Sequence, residues 1–264
     1  EQVFLAGRLP PFWVSGAAPS FLLGTDSLGR DVFSRILHGA RLALTVALVS
    51  GLATCLVGAT LGLMAGYLRG WVDVVISRLI DIWMAFPPVL FSILLIAVIG
   101  PGLGSIILAI VIIDWTRFAR VVRAEAMAQG AMDYVASARI AGRGRLGIML
   151  REILPNVLPT IVVLLTLEMG IAVIVEAILS FVNLSISTDD PTWGGMIAEG
   201  RAAVHQAWWV LVFPLLGALI AVGLALWRGD LCPGQRSRIT TQLFPVWVIT
   251  GLSLMLAVEA KVAG

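Results

Sequence analysis

The sequence predicts an all-α protein that crosses a membrane several times as a polytopic transmembrane helical bundle. Of its 264 residues, 59% are hydrophobic and only 13% are charged, whereas charged residues make up about 25% of a soluble domain. The apolar residues are concentrated in runs close to or above the roughly 20 residues that span a bilayer core. A water-soluble core would have to hide these runs from water on every face, which argues against that alternative.

Five spans are predicted, at 42–67, 82–100, 103–118, 157–182 and 207–227. Three of them contain no charged residue, the fourth contains two glutamates, and the third is weaker because it includes Asp114 and Arg117. The pair Pro87-Pro88 falls near the start of the second span, where proline is tolerated. Each run is therefore expected to form one transmembrane helix.

Arginine-rich stretches orient these spans. Residues 69–78, 117–151 and 228–238 fall on one side when the spans alternate, and Lys/Arg excess in short loops marks the cytoplasm. The acidic loop 185–206 and the N-terminus then lie outside. Because residues 1–20 contain no apolar run of a signal peptide, this orientation indicates that an earlier, sixth helix is missing from the chain.

The N-terminal region conflicts with the orientation, since four of its arginines would lie outside: Arg8, Arg30, Arg35 and Arg41. We predict an extracytoplasmic loop and interfacial helix in 1–41, where 31–41 is either a separate amphipathic helix on the membrane surface or the first turns of the first span. The transmembrane domain follows in 42–230. Residues 231–264 form a divergent tail whose apolar run is short for a span.

Gly58, Gly62 and Gly66 recur at four-residue intervals in the first span. Residues at this spacing lie on one helix face, and glycine there allows a neighbouring helix to approach closely. The neighbour could belong to this chain or to a second membrane subunit.

Residue content excludes several classes of function. Cys55 and Cys232 support neither a disulfide framework nor a metal site. Lys261 is the only lysine and follows no glycine-rich loop, whereas a P-loop needs a lysine on the phosphates. The chain is therefore not expected to bind and hydrolyse ATP in that way. Its basic residues stand at membrane-loop positions, which does not indicate nucleic-acid binding.

Carboxylates inside predicted spans are functional candidates because charges are costly within a membrane. Glu168 and Glu176 lie near the same helix face. They could line a translocation path, or pair with arginines or backbone groups of a neighbouring subunit. Asp114 and Arg117, one turn apart, are interpreted as a structural pair. With Asp114, the glutamates could instead form a proton or cation relay of a secondary transporter or channel.

The stretch 134–155 is polar and arginine-rich between two apolar spans, and it predicts a cytoplasmic docking loop within 124–155. A short helix around Ala136, Ser137 and Ala138 could seat in a partner's groove, and Gly142 permits the turn that ends it. The arginines could pair with acidic groups of the partner. The other residues assigned to this loop are Arg139, Arg143, Arg145, Leu154 and Pro155.

This stretch resembles the EAA loop of ABC-importer membrane subunits, in which Glu-Ala-Ala precedes a glycine and, further on, Leu-Pro. Ala138 and Gly142 match that pattern, and Leu154-Pro155 stands at the family's distance from the glycine. Ala136 and Ser137 replace the family's Glu and first Ala.

Four further segments are similar to the permeases of dipeptide, oligopeptide and nickel importers. They are LGTDSLGRDVFSR at 23–35, Asp81 with AFP at 85–87, EAILSF at 176–181, and WG followed by EGR within 193–201. Together with the loop they occur in the order typical of the "C-type" permease, so the chain is identified as a member of that class.

The resemblance implies the ABC-importer permease fold and a bacterial-type inner membrane. Such a subunit encloses a path for di- or oligopeptides together with a second permease, and an extracytoplasmic solute-binding protein delivers the substrate. Two ATPase subunits hold ATP and Mg and are coupled through the loop 124–155. The chain itself would be no enzyme and would hold no cofactor. A membrane scaffold without transport activity is a third alternative to importer and secondary transporter.

Overall fold

The computed structural model describes residues 7–182, 184 and 190–229, and these are helical apart from loops and one isolated β-bridge between Thr25 and Asp31. The predicted tail 231–264 lies outside the described residues. The helices are α1 (Val32–Leu68), α2 (Gly70–Met84), α3 (Pro88–Ile99), α4 (Leu103–Gln129), α5 (Asp133–Ile140), α6 (Arg145–Ile148), a π-helical turn (Met149–Ile153), α7 (Leu154–Phe181), α8 (Trp193–Ala202) and α9 (Trp208–Gly229).

The first helix begins at an N-cap, Asp31. Its carboxylate accepts hydrogen bonds from the backbone N–H of Phe33 (3.3 Å) and of Ser34 (3.0 Å), which satisfies two donors that a helix start leaves free. From there α1 continues without a break for 37 residues. The stretch 31–41 is thus not a separate interfacial helix; it forms the cap and first turns of α1.

The closest helix pair is α1 with α4, and glycines make the approach possible. A Cβ on Gly58 would lie 2.4 Å from Cβ of Phe118, and one on Gly62 would lie 2.7 Å from the carbonyl oxygen of Ala119. At Gly66 the nearest atom, the carbonyl oxygen of Arg123, would be 2.5 Å away. No side chain fits at such distances, so the glycines pack within this chain rather than against a second subunit.

The buried core lies where α1, α4 and α7 meet. Towards the outer side, Val46, Ile110 and Val173 are buried in one cluster. Towards the predicted cytoplasmic side, Val122 and Val157 are buried in a second cluster. This three-helix core positions the loop between α4 and α7.

The predicted second span, 82–100, is wrong as a single straight helix. The chain bends by 86° between α2 and α3. Proline has no N–H and clashes with the preceding turn, so the Pro87-Pro88 pair ends α2, and Pro88 becomes the first residue of α3. The pair stands at a helix start, as expected, but that helix is only 12 residues long.

By length and composition, α1 and the continuous helix Arg145–Phe181 can each cross a membrane, and the bent pair α2–α3 makes a third candidate among the described residues. The third predicted span falls on α4, whose 27 residues include Asp114, Arg117 and Arg120. The fifth falls on α9, whose shorter apolar part is Trp208–Ile220.

Candidate functional site

The loop between α4 and α7 contains the short helix that the small-residue cluster predicts. Helix α5 ends in two backbone hydrogen bonds, from the N–H of Arg143 to Ala138 (3.1 Å) and from the N–H of Gly142 to Arg139 (3.0 Å). This pattern is a Schellman motif, and it places Gly142 in the left-handed region at φ +76°. Gly142 therefore forms the predicted turn.

One side of α5 is anchored and the other is exposed. Val135 is fully buried in the cluster that includes Ile153 and Val157, whereas Ala136 and Ser137 are exposed. Ile140 is 88% exposed at the end of the helix. An exposed apolar side chain beside small ones forms a surface that a groove could cover. No signal in the sequence singled out Ile140.

Two of the three arginines assigned to partner contacts have partners within the chain. The guanidinium of Arg139 lies over the ring of Tyr67, 5.5 Å from its centroid, which ties α5 to the end of α1. Arg143 forms an ion pair with Glu152. Arg145 is exposed and has no ion pair among the described residues, so it is the one of the three left for a partner.

Leu154 and Pro155, which were assigned to the loop from the sequence, lie within a helix. The helix is already continuous from Arg145 to Phe181. In its π-helical turn the N–H of Leu154 bonds the carbonyl of Met149, five residues earlier. A proline inside an α-helix removes one hydrogen bond and crowds the carbonyl four residues before it; the wider π turn absorbs Pro155 at this point.

Glu168 belongs to a buried cluster of three charges. Nη1 of Arg117 lies 2.8 Å from Oε2 of Glu168, and Nη2 lies 2.9 Å from Oδ1 of Asp114. The pairing of Asp114 with Arg117 is therefore present, with Glu168 as an additional member. Glu168 is 1% exposed, so its partner comes from α4 of the same chain rather than from a neighbouring subunit, and it lines no open path in this conformation.

Glu176 is also enclosed by its own chain. The hydroxyl of Ser180 donates to Oε1 (2.5 Å), while Oε2 is buried without a hydrogen bond in the described part of the chain. Helix α8 closes over this turn, because a Cβ on Gly194 would lie 2.0 Å from the carbonyl oxygen of Ala177. Glu176 is 0% exposed, so in this conformation it reaches no hydrated surface.

A second charged cluster pairs two of the four N-terminal arginines. Asp26, fully buried, accepts from Nε of Arg30 (2.7 Å) and Nη1 of Arg35 (2.5 Å). Glu199 of α8 lies 2.8 Å from Arg35 and 3.3 Å from Arg30. Two carboxylates thus pair with two guanidinium groups and tie the N-terminal segment to α8. The positive-inside rule counts arginines and not net charge, so Arg8, Arg30, Arg35 and Arg41 remain an exception to the predicted orientation.

Three arginines of α4 form ion pairs with carboxylates of the same chain. Arg117, Arg120 and Arg123 follow one another at three-residue spacing on one helix stripe. Arg120 lies 3.3 Å from Asp81, and Arg123 forms a two-fold ion pair with Asp73. These pairs join residues 39 and 50 positions apart and were not predicted from the sequence, although Asp81 stands in a segment that resembles importer permeases.

Solved structures with the same fold define the class of protein. The chain superposes on a structure titled "Inward facing conformations of the MetNI methionine ABC transporter" with a TM-score of 0.64 at 18% identity, covering 80% of this chain and 97% of the other. A structure titled as an amino acid ABC transporter gives 0.59 at 15% identity, covering 75% and 92%. The fold is that of the membrane-spanning subunits of ABC transporters.

Sequence relatives give the family. Residues 58–229 match the model described as "Binding-protein-dependent transport system inner membrane component". Relatives include a di/tripeptide transport permease of Pseudomonas aeruginosa (39% identity, 84% of this chain, 73% of the relative), a dipeptide permease of Haemophilus influenzae (35%, 92%, 81%) and a glutathione permease of Pectobacterium atrosepticum (39%, 78%, 69%). The chain belongs to this family of inner membrane components.

Family and fold confirm the all-α, ABC-importer permease assignment made from the sequence. The chain is a membrane component of a transport system. Nothing in these relatives supports the alternative of a proton- or cation-coupled transporter or channel.

Proposed function

We propose that this chain is one of two permease subunits of an ATP-driven importer of short peptides in a bacterial-type inner membrane. The observation that carries the proposal is its 35–39% identity, over 78–92% of its length, to permeases named for dipeptides, di/tripeptides and glutathione. All three substrates are small peptides with charged groups.

In this proposal the translocation path runs between the chain and a second permease. An extracytoplasmic solute-binding protein delivers the peptide from outside. Two ATPase subunits on the cytoplasmic side hold ATP and Mg, so the chain needs no cofactor and makes or breaks no covalent bond. The division into an extracytoplasmic N-terminal segment, a transporting domain and the tail 231–264 remains part of the proposal, with the whole of α1 (Val32–Leu68) counted in the transporting domain.

The loop 124–155 couples hydrolysis to movement. Helix α5 would present Ala136, Ser137 and Ala138 to a groove of an ATPase subunit, with the exposed Ile140 beside them. Val135, buried against α7, and the contact of Arg139 with Tyr67 of α1 support this role. These two contacts join α5 to two of the three core helices, so a displacement of α5 would move α1 and α7 together.

The experiment is reconstitution of the chain with its second permease, the two ATPase subunits and the binding protein in liposomes. We expect uptake of a labelled dipeptide that depends on ATP inside the vesicle and on the binding protein outside. Uptake driven by a proton gradient without ATP would contradict the proposal and favour a secondary transporter. No uptake of any short peptide by an assembled, ATP-hydrolysing complex would contradict the substrate class.

A further inference from the structure

The helix break at 85–87 leaves irregular backbone exposed. Ala85, Phe86 and Pro87 are all exposed, and the chain bends by 86° there. Pro88 has no N–H and cannot donate to the carbonyl of Met84, as a continuing helix would. In a membrane, non-helical backbone occurs only where other protein covers it or where it lines a water-filled cavity.

An exposed ion pair lies one turn before this break. Nη2 of Arg120 is 3.3 Å from Oδ1 of Asp81, and the two side chains are 54% and 59% exposed. The neighbouring pair on the same two helices differs, since Arg123 and Asp73 are 30% and 19% exposed. Arg78, three residues before Asp81 and on the same side of α2, is exposed as well.

The depth of this pair follows from the packing of α1 on α4. Gly58 packs against Phe118 and Gly66 packs against Ala126, so α1 and α4 run parallel with an offset of 60 positions. With that offset, the middle of the uncharged run 42–67 lies beside Asp114. At 1.5 Å per residue, Arg120 is about 8 Å from that middle. This is well inside the hydrocarbon core, whose half-thickness is about 15 Å.

Lipid cannot cover this surface. Exposed Asp and Arg side chains at such a depth face the interior of a bundle or a water-filled cavity, not acyl chains. Exposed irregular backbone leads to the same conclusion independently. Both features lie on the side formed by α2 and α4, away from the core contacts of α1 and α7.

We infer that Asp81 and Arg120 line the hydrated translocation path and bind the charged ends of a peptide as it passes, an inference that rests on the proposed function. A peptide with free termini carries an ammonium group, for which Asp81 is the partner, and a carboxylate, for which the planar guanidinium of Arg120 is the partner. In the empty path the two side chains pair with each other. A passing peptide exchanges that pair for two new ones, so neither charge is left unpaired in the membrane.

Cysteine labelling in the reconstituted importer tests this. Asp81→Cys and Arg120→Cys are made singly in a background with Cys55→Ser and Cys232→Ser, and each is treated with a cationic and an anionic methanethiosulfonate reagent of similar size. In Arg120→Cys the carboxylate of Asp81 remains, so the cationic reagent should react about tenfold faster than the anionic one. In Asp81→Cys the guanidinium of Arg120 remains, so the anionic reagent should react faster. A local charge in a cleft changes association rates by at least about that factor.

Leu56→Cys is the matched control. Leu56 is 68% exposed on α1 and lies about 2 Å from the same middle, also inside the hydrocarbon core, but it has no charge beside it. We expect it to react with neither reagent. Dialanine in excess should slow labelling at positions 81 and 120, whereas N-acetyl-dialanine amide, which has no charged ends, should not. Unreactive cysteines at 81 and 120, equal reaction at 56, or no protection by dialanine would each overturn the inference.

These outcomes are separate from failure of the proposed function. If the unmodified importer takes up dialanine and the cysteines are unreactive, the chain is a peptide permease whose path runs elsewhere. The unmodified importer could take up no peptide while the two cysteines show opposite charge preference without protection by dialanine. In that case the face with Asp81 and Arg120 is hydrated, and the assignment of peptides as substrate is wrong.

Discussion

Gly142 shows how one backbone conformation ends α5. Its φ of +76° costs a residue with a side chain about 1–2 kcal/mol, and both hydrogen bonds of the Schellman motif depend on it. Nothing lies within 4 Å of an added Cβ there. A substitution at Gly142 therefore acts through the backbone alone and not through a steric clash.

We expect Gly142→Val to unwind the end of α5 and uncouple ATP hydrolysis from uptake while the complex still assembles. Substrate-stimulated ATPase activity and uptake in proteoliposomes measure this. Gly144→Val is the control, because Gly144 is equally open but has φ −65°, which valine adopts freely. Wild-type uptake by both variants would contradict the coupling role of α5.

Arg117 is the only cation within ion-pair distance of Asp114 and Glu168 among the described residues. Arg117→Gln leaves two buried carboxylates without a counter-charge, and losing one partner of a buried ion pair costs about 3–5 kcal/mol. We expect a lower melting temperature of the detergent-solubilised complex. Arg143→Gln, which breaks the more exposed pair with Glu152, should cost less than about 1 kcal/mol.

A triple variant tests whether the uncompensated carboxylates cause the loss of stability in Arg117→Gln. Adding Asp114→Asn and Glu168→Gln to Arg117→Gln removes all three charges and should restore most of the stability, because no uncompensated charge then remains. If Arg117→Gln alone is as stable as the wild type, the buried cluster has no structural role.

At the scale of elements, the contact of α1 with α4 depends on the absence of side chains. Gly62→Ala would place a methyl group 2.7 Å from the carbonyl oxygen of Ala119, which forces the helices apart and costs about 1–3 kcal/mol. Thermal unfolding of the purified complex measures the loss. Gly104→Ala, in open space on α4, should be neutral or stabilising by up to about 1 kcal/mol. Equal effects of the two changes would contradict this packing.

The two helix irregularities have different consequences. The π-helical turn at Met149–Ile153 absorbs Pro155 and leaves the helix continuous from loop to membrane. The Pro87-Pro88 pair instead ends α2 and turns the chain by 86°. A helix thus accommodates a single proline that a wider turn precedes. Two adjacent prolines remove two consecutive N–H donors, and the helix ends there.

At the scale of the whole molecule, the orientation in the membrane follows from charges. Arg139, Arg143, Arg145 and Arg151 lie on the loop 124–155, and Arg69 and Arg78 lie at the same end of the molecule. Because Lys and Arg are in excess on the cytoplasmic side, α5 is expected in the cytoplasm and Asp190 outside.

Impermeant thiol reagents test that orientation. In a background with Cys55→Ser and Cys232→Ser, Arg145→Cys should be labelled only from the cytoplasmic side and Asp190→Cys only from outside. Both positions are exposed, so access depends on the side of the membrane and not on burial. The reverse pattern would overturn the topology and every partner assignment made from it.

Much of the loop could be predicted from the sequence because its determinants are local. The small residues, the turn at Gly142 and the arginines all act within about ten positions of one another, and α5 forms as expected. The roles of single charges could not be predicted in this way. Glu168 meets Arg117 across 51 positions, and Glu199 meets Arg35 across 164, so only packing brings them together.

By itself, the sequence determined that this protein is a helical membrane permease of the importer family, because apolar run length, arginine placement and ordered motifs are properties of consecutive residues. Only the tertiary structure decided which charged side chains are buried and which are exposed. It buried Glu168 and Glu176, which from the sequence could line a path or pair with a neighbouring subunit, and it exposed Asp81 and Arg120. The physical reason is that a helix presents every face in turn, and the faces that are covered depend on distant helices.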